Sequence, residues 1–337
     1  MPELKPDASF LIGIDIGGTK LAVVITDRSG TILHKERRPT VASRGPKDIV
    51  AELCDMTRTV MNHESATQES VAGIGVSCGG PLDTSTGIVY SPPNLPGWDA
   101  VPLKSLIEEE LSLSCHVEND ANAGALAEWY FGAGRGFTNV VYMTMSTGIG
   151  GGLILDGKLY RGTGDTAGEV GHMTIVPNGP PCGCGKSGCL EALCSGPSIA
   201  RRAREALADA GQRGPSLMLH GANNDLAAVT SEIVMDAARD GDELALKIVD
   251  ETARYMAIGL GNIINILNPQ IVIVGTILVK ASDLLLEPIR EYIRAETWDR
   301  VYDMVRIVPA ELGDSVGDLA AIAVMKQAFE ETGAESL

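Results

Sequence analysis

The apolar positions of the chain come in short runs punctuated by turn residues. Phe10–Ile14, Leu21–Ile25 and Ile32–Arg38 read as three strands. Gly17-Gly18 and Asp27-Arg28-Ser29-Gly30 are the tight turns between them, so the opening reads as an antiparallel meander whose first turn grips a ligand. Ile49, Leu53, Met56 and Val60 recur at helical spacing and predict a helix over Asp48–Met61. Val71–Val76 reads as a buried strand and Leu103–Leu111 as a helix. Cys115–Glu118 reads as a short strand, followed by a helix over Ala121–Trp129 that Asn119 caps.

From Val140 the pattern repeats in outline. Val140–Met145 is a strand, Ser146–Gly152 a glycine-rich turn, and Leu153–Leu155 a continuation that turns back at Asp156-Gly157. Strand, glycine turn, strand at the head of each half predicts two related lobes facing one cleft. Further helices are expected at Ser198–Ala210, Ser231–Ala238 and Leu244–Ile266, the last stopped by Asn268-Pro269. Ile271–Val274 and Val305–Val308 read as strands and Gly317–Phe329 as a closing helix. Strands alternating with helices make this an α/β protein.

A length of 337 residues, 45% of them apolar, fits two domains or one large bilobal unit. The formal net charge of -17, with no Lys/Arg-rich run, argues against binding duplex DNA or an anionic membrane. Met1–Ser9 is polar and lacks a signal-peptide pattern, and no apolar run is long enough to span a bilayer; the expectation is a cytosolic protein. Seven cysteines, an odd number, argue against a secreted disulfide framework. Cys54, Cys78, Cys115 and Cys194 sit among apolar neighbours and read as buried thiols, whereas Cys182, Cys184 and Cys189 cluster.

Five segments carry candidate chemistry. In Asp15-Ile16-Gly17-Gly18-Thr19-Lys20, two glycines let the backbone approach an anion, Thr19 and Lys20 offer a hydroxyl and a cation, and Asp15 suits Mg²⁺. The alternative is an ordinary Gly-Gly hairpin. Ser146-Thr147-Gly148-Ile149-Gly150-Gly151-Gly152 reads as a second phosphate loop, or as a glycine-rich bulge. Glu118-Asn119-Asp120-Ala121-Asn122 places carboxylates and amides at a strand-to-helix junction, where Asp120 suits a general base and Asn119 a cap or a sugar ligand. His172 with Cys182, Cys184 and Cys189 fits a closed tetrahedral Zn²⁺ site, structural rather than catalytic, that would fix His172, Glu169 and Glu191 near the substrate; free thiols or a redox pair are the alternative. Asn94-Leu95-Pro96-Gly97-Trp98 is a surface turn or a sugar contact through Asn94. Two formal matches fail their context. Gly183, Gly185 and Gly188 follow Pro180-Pro181 rather than a strand, and Gly185-Lys186-Ser187 lacks the earlier P-loop glycine.

From about Phe10 to Phe329 these motifs, in this order, resemble the ROK family of repressors, uncharacterised reading frames and sugar kinases within the actin-like ATPase/hexokinase superfamily. The resemblance implies an actin-like ATPase (ribonuclease H-like) α/β fold of two lobes around a cleft, with a zinc knuckle. The small lobe would comprise residues 1–119 and 309–337, and the large lobe 120–308. It implies MgATP as donor, a hexose as acceptor, and a homodimer or homotetramer. Asp15, Gly17, Gly18, Thr19, Lys20, Thr147, Gly148, Gly150 and Gly275 would meet the nucleotide. Asp120 would be the base, and Asn94, Asn119, Asp120, Glu169, His172 and Glu191 would hold the sugar. His172, Cys182, Cys184 and Cys189 match the zinc ligands. The sequence departs from the family at Gly275-Thr276-Ile277, where a run of glycines is common, and at Ser77-Cys78-Gly79-Gly80-Pro81, which is closer to amino-sugar kinases. Glucose is the expected acceptor, with N-acetylmannosamine, N-acetylglucosamine and fructose as alternatives and polyphosphate as an alternative donor. A sugar-sensing repressor is disfavoured, since only nine residues precede Phe10 and the charge is acidic. A non-catalytic sugar-binding protein is disfavoured by the intact Asp15, Asp120 and glycine loops.

Overall fold

The computed structural model describes residues 2–5, 7–210 and 216–332; Met1, Pro6, 211–215 and 333–337 lie outside that description. The chain begins with strands β1 (Phe10–Ile16), β2 (Lys20–Asp27) and β3 (Ile32–Pro39), helix α1 (Gly45–His63) and strand β4 (Val71–Cys78). The two-residue strands β5 (Leu82–Asp83), β6 (Ile88–Val89) and β7 (Val101–Pro102) precede α2 (Leu103–Leu111), β8 (Cys115–Asn119) and α3 (Asp120–Phe131). Then come β9 (Val140–Met145), β10 (Ile149–Leu155), β11 (Lys158–Leu159), α4 (Leu190–Cys194), α5 (Gly196–Ala210), α6 (Leu217–Gly221), α7 (Ser231–Arg239) and α8 (Glu243–Leu267). The last elements are β12 (Ile271–Val274), α9 (Ile277–Lys280), α10 (Ser282–Glu296), α11 (Asp299–Tyr302), β13 (Arg306–Pro309) and α12 (Val316–Thr332).

Contacts divide the chain into two compact units. The first comprises residues 1–136, 152–167 and 314–337; the second comprises 137–151 and 168–313. No described helix is long and apolar enough to cross a membrane.

The first unit is built on a sheet of order β3-β2-β1-β4-β8. β1, β2 and β3 are antiparallel, as a meander with tight turns requires, while β4 and β8 run parallel to β1. Register aligns Asp15 with Ser77 and Ser77 with Glu118, so the parallel strands end together, one residue short of Asp120. Both faces of β4 are buried, which explains its continuous apolar run. One face of the sheet receives α1, chiefly over β2 and β3, and its Ile49, Leu53, Met56 and Val60 are buried at the predicted spacing. The other receives α12, whose Ile322, Met325 and Phe329 pack with Leu11, Val24 and Ala72. Glycines in the strands make that approach possible. A Cβ on Gly13 would lie 3.0 Å from Ala321 Cβ and Ile322 Cδ1, and one on Gly75 would collide with the Ala321 carbonyl.

In the second unit β9, β12 and β13 are parallel, with Val140 beside Ile271 and Ile271 beside Arg306. The long helix α8 is capped by Asp242, whose carboxylate accepts from the N–H groups of Leu244 and Ala245 at 3.0 Å. It ends at Asn268 in the left-handed conformation, φ 44°, ahead of Pro269. A Cβ on Gly259 would meet Leu190 Cδ2 at 2.7 Å and one on Gly261 would meet Glu296 Cβ at 2.6 Å, so these glycines let α4 and α10 pack on the helix.

Two expectations need correcting. The glycine-rich turn is only Ser146–Gly148, because β10 already begins at Ile149. A Cβ on Gly151 would lie 2.9 Å from the Gly168 carbonyl, and one on Gly152 would lie 2.8 Å from the Ala121 carbonyl. Those two glycines serve close packing of a strand. The other correction is α10, a continuous helix that the sequence reading passed over. Pro288 lies inside it and argues locally for a break. The buried stripe Leu285, Ile289 and Ile293 holds the helix in spite of it.

Candidate active site

In the first unit the candidate residues gather at the carboxyl ends of β1 and β8, the usual position of ligand sites on parallel sheets. The turn after β1 is closed by Gly17 N–H donating to the Lys20 carbonyl at 3.0 Å and tied down by Thr40, whose hydroxyl donates to the Gly17 carbonyl at 2.6 Å. Thr19 is exposed at its tip. A Cβ on Gly18 would come 2.6 Å from Asn94 Cβ, so this glycine brings the Asn94 loop onto the turn. Leu95 and Trp98, buried to 2% and 0% exposure, anchor that loop and leave Asn94 exposed.

Asp15 is the charged centre of this end. Lys20 Nζ stands 3.9 Å from its carboxylate, and Gly317 passes so close that a Cβ there would lie 2.8 Å from Asp15 Oδ2. Burial pushes its pKa up to about 6; Asp318 and Asp120 push the same way, while Lys20 and Lys35 oppose them. Lys35 itself is ion-paired with Asp318. Above pH 6 the fold therefore holds a carboxylate that it would stabilise better as the acid. The folded state binds more protons between about pH 4 and 6, so this contribution to stability is full below that window and is lost as pH rises through it. Asp15→Asn is accordingly expected to raise stability at pH 7.5, by about 1–3 kcal/mol at 1.36 kcal/mol per pKa unit, with the gain fading toward pH 4. Urea melts at the two pH values check this; a less stable variant at pH 7.5 would contradict it.

Asn119 caps α3: its Oδ1 accepts from Ala121 N–H at 3.0 Å and Asn122 N–H at 3.4 Å. Its oxygen is thus committed to the helix, and its Nδ2 is the atom left to donate. Asp120, at the first position of α3, is exposed and accepts from Ala121 N–H at 2.9 Å. Glu118 lies behind them, buried.

In the second unit Glu169, exposed, precedes the single turn Val170–His172. His172 Nε2 stands 3.8 Å from Glu169 Oε2. The other ring nitrogen faces the cysteines: Nδ1 is 3.6 Å from Cys182 Sγ, and Cys184 Sγ is 3.8 Å from Cys189 Sγ. All ligand atoms of His172, Cys182, Cys184 and Cys189 lie within 4.8 Å of one another, the one such cluster among the described residues. A tetrahedral zinc with ordinary bond lengths sets S···S at roughly 3.8 Å and N···S at roughly 3.6 Å. The donor set fits zinc in both chemistry and spacing. Gly185 and Gly188, at φ 85° and 73°, supply the turns the loop needs.

Glu191 joins the cysteine cluster to the Ser146–Gly148 turn. Its Oε2 accepts from Ile149 N–H at 2.9 Å, and its Oε1 lies 3.7 Å from Cys182 Sγ. Gly148 has no room for a side chain, since a Cβ would sit 2.7 Å from Glu191 Oε2. The turn opens into a cavity of about 660 Å³ whose lining includes Ser146, Thr147, Gly196, Val229, Met235 and Ile277. Gly150 and Gly275 are not in that lining; Gly275 packs on Tyr142, where a Cβ would lie 3.0 Å from the hydroxyl oxygen. Thr276 lines it instead, at φ 57°, in the region that favours glycine. The sequence reading missed most of this lining. Gly196, Arg204, Val229–Glu232, Met235, Asp236 and Lys280 sit on or between helices that read as ordinary amphipathic surface. The signal that was there is Gly196-Pro197 opening α5.

Comparison with known proteins gives these features their context. The ROK family profile matches residues 11–328. The chain is 35% identical to a glucokinase of Halalkalibacterium halodurans, over 94% of this chain and 95% of that protein. It is 34% identical to a glucokinase of Thermotoga maritima, over 97% and 99%. Among solved structures, a ROK family glucokinase from Streptomyces griseus, in complex with glucose and AMPPNP, superimposes with a TM-score of 0.78 at 33% identity, covering 93% of this chain and 97% of that one. The α/β architecture is that of the actin-like sugar kinases, and the chain belongs to the ROK family.

Proposed function

We propose that the protein is an ATP-dependent hexose kinase, with glucose the preferred acceptor and Asp120 the general base. One observation carries the reading: an exposed carboxylate, Asp120, and a half-buried one, Asp15, share the carboxyl ends of parallel strands in the first unit. In the reaction a sugar hydroxyl attacks the γ-phosphorus of the donor. The new O–P bond forms, the bond to the β–γ bridging oxygen breaks, ADP leaves, and the hydroxyl proton passes to the Asp120 carboxylate. Asn119 contributes its free amide hydrogens and Asn94 its exposed side chain to orienting the sugar; Glu169, His172 and Glu191 are the candidates from the second unit. Mg²⁺ supplies charge neutralisation at the transferring phosphates. Asp15 is the residue that would hold it, and the excess of negative charge around Asp15 fits a divalent cation. Gly17, Gly18, Thr19, Lys20, Thr147 and Gly148 are the phosphate-facing candidates.

The cavity in the second unit fits a nucleoside rather than a chain of phosphates. Ala200, Val229, Met235 and Ile277 offer it apolar surface that a base and ribose can cover and a chain of phosphates cannot, and its carboxylates Glu232 and Asp236 are already paired with Lys280 and Arg239. Inorganic polyphosphate is therefore expected to support turnover at least about tenfold below ATP, the equivalent of one 1.36 kcal/mol step in barrier. Equal rates with the two donors would overturn that assignment. The reaction itself is tested by ADP release from MgATP with glucose, N-acetylmannosamine, N-acetylglucosamine, mannose and fructose. Preference for glucose supports the reading. Preference for an acetylated sugar moves the acceptor, and no turnover with any sugar removes the enzyme.

A further inference from the structure

Glu118 opens the segment that ends in Asp120, yet the reaction described above gives it no task. Its side chain is 2% exposed, and both oxygens are engaged. Oε1 accepts from the N–H of Asn119 and from Nδ2 of Asn122, each at 3.0 Å. Oε2 accepts from Arg161 Nε at 2.7 Å. A carboxylate this deep is costly to bury unless it is paired and hydrogen-bonded, and Arg161 is its charged partner.

Arg161 lies just past β11 and is held from several sides. Its Nη1 donates to Glu331 of α12 at 2.9 Å, and its carbonyl accepts from Ala167 N–H at 3.0 Å, closing the loop 161–167. Asp165 of that loop accepts from the N–H and hydroxyl of Thr84, both at 2.9 Å. A cavity of about 270 Å³, lined by His116, Leu126, Gln327 and Glu331 among others, borders the guanidinium. Through Glu118, Arg161 is linked to the Asn119 peptide and the Asn122 side chain that flank Asp120.

We propose that Glu118 and Arg161 are positioning residues for the general base: the ion pair fixes the Glu118 carboxylate, which fixes the Asn119 peptide and the Asn122 side chain on either side of Asp120. This rests on the reading of Asp120 as the base. Geometry accounts for the residue types. Glutamine at 118 would keep one oxygen for Asn119 and Asn122 but would turn an NH₂ toward Arg161, donor against donor. Methionine at 161 would keep the apolar stem and leave the Glu118 carboxylate unpaired. Lysine keeps the charge without the fixed planar fork.

The test compares Glu118→Gln, Arg161→Met, Arg161→Lys and the Glu118→Gln/Arg161→Met double variant in the sugar-dependent ADP-release assay, with melting temperature and the KM for MgATP measured in parallel. Positioning predicts that each of the two disrupting single variants lowers kcat about 10- to 100-fold, within the span of a misplaced catalytic group. The KM for MgATP stays within about twofold, since the 660 Å³ cavity proposed for the nucleotide draws none of its lining from these residues. The double variant should be no slower than the worse single variant, because both break one linkage. Arg161→Lys should recover part of the loss. A folded Arg161→Met with wild-type kcat overturns the proposal. So does a loss of kcat that only follows the fraction of protein unfolded, or independent losses that multiply in the double variant. Asp120→Asn in the same assay separates the two readings: if it stays active the base is misassigned, and if it is dead while Arg161→Met is normal, only the positioning role fails.

Discussion

Asp120→Asn is expected to lower kcat by about 10²–10⁴-fold, the usual range for a lost general base, with the fold left intact. Asparagine keeps the oxygen that accepts from Ala121 N–H at 2.9 Å, and the cap of α3 is made by Asn119. The start of the helix therefore survives. What is lost is the ability to take the hydroxyl proton. The substitution also removes one of the charges that push the Asp15 pKa up, so the melting temperature should hold or rise slightly. The lining of the 660 Å³ cavity lies wholly in the second unit, and nucleotide affinity should hold as well. Steady-state rates with glucose, together with a nucleotide titration, check both halves. Turnover within tenfold of the parent would remove Asp120 from the role.

The second large effect concerns metal. Cys184→Ser is expected to release about one zinc per chain, to lower the melting temperature, and to raise the KM for both sugar and nucleotide. Structural zinc sites carry apparent binding energies of about 10–16 kcal/mol at neutral pH, so a loop built on one does not keep its shape without it. The double effect on KM comes from Glu191. Cys189 is wholly buried and immediately precedes α4. Glu191, on that helix, braces the Ser146–Gly148 turn through Ile149 N–H. Loosening the cysteines therefore loosens a turn that borders the 660 Å³ cavity, along with the segment carrying His172. Metal analysis by mass spectrometry and paired KM measurements decide the matter. A purified protein that binds no zinc and is fully active would refute the assignment.

Much of this was legible in the residues. Spacing of Ile49, Leu53, Met56 and Val60 gave α1, and Asn119 announced the start of α3. The histidine and cysteines came together as their spacing implied. The glycines misled where their cause was tertiary. Gly151 and Gly152 looked like a phosphate loop, but they are small because the Gly168 and Ala121 carbonyls press on them. No local pattern distinguishes these two reasons for a glycine. The 660 Å³ cavity was mostly invisible for a related reason: Val229, Met235 and Ile277 meet only after helices far apart in sequence have packed. Thr276 is the instructive departure. The sequence lacks the glycines common in the family there, yet the backbone keeps a glycine-like φ of 57°, a conformation that costs of order 1–3 kcal/mol for such a residue.

The first unit is assembled from chain segments that are synthesised far apart in time. Its sheet is complete once β8 has been made, but one face has only α3, with Phe131, to cover it until α12 arrives with Ile322, Met325 and Phe329. The second unit, residues 137–151 and 168–313, is finished before any of α12 exists. A nascent chain thus carries an incompletely covered apolar sheet face through most of translation, even though domains generally fold in order from the N-terminus. Such a chain is exposed to aggregation for the whole of that interval, and its yield in the cell should depend on chaperones that shield the face of β1 and β4 until the last helix emerges from the ribosome.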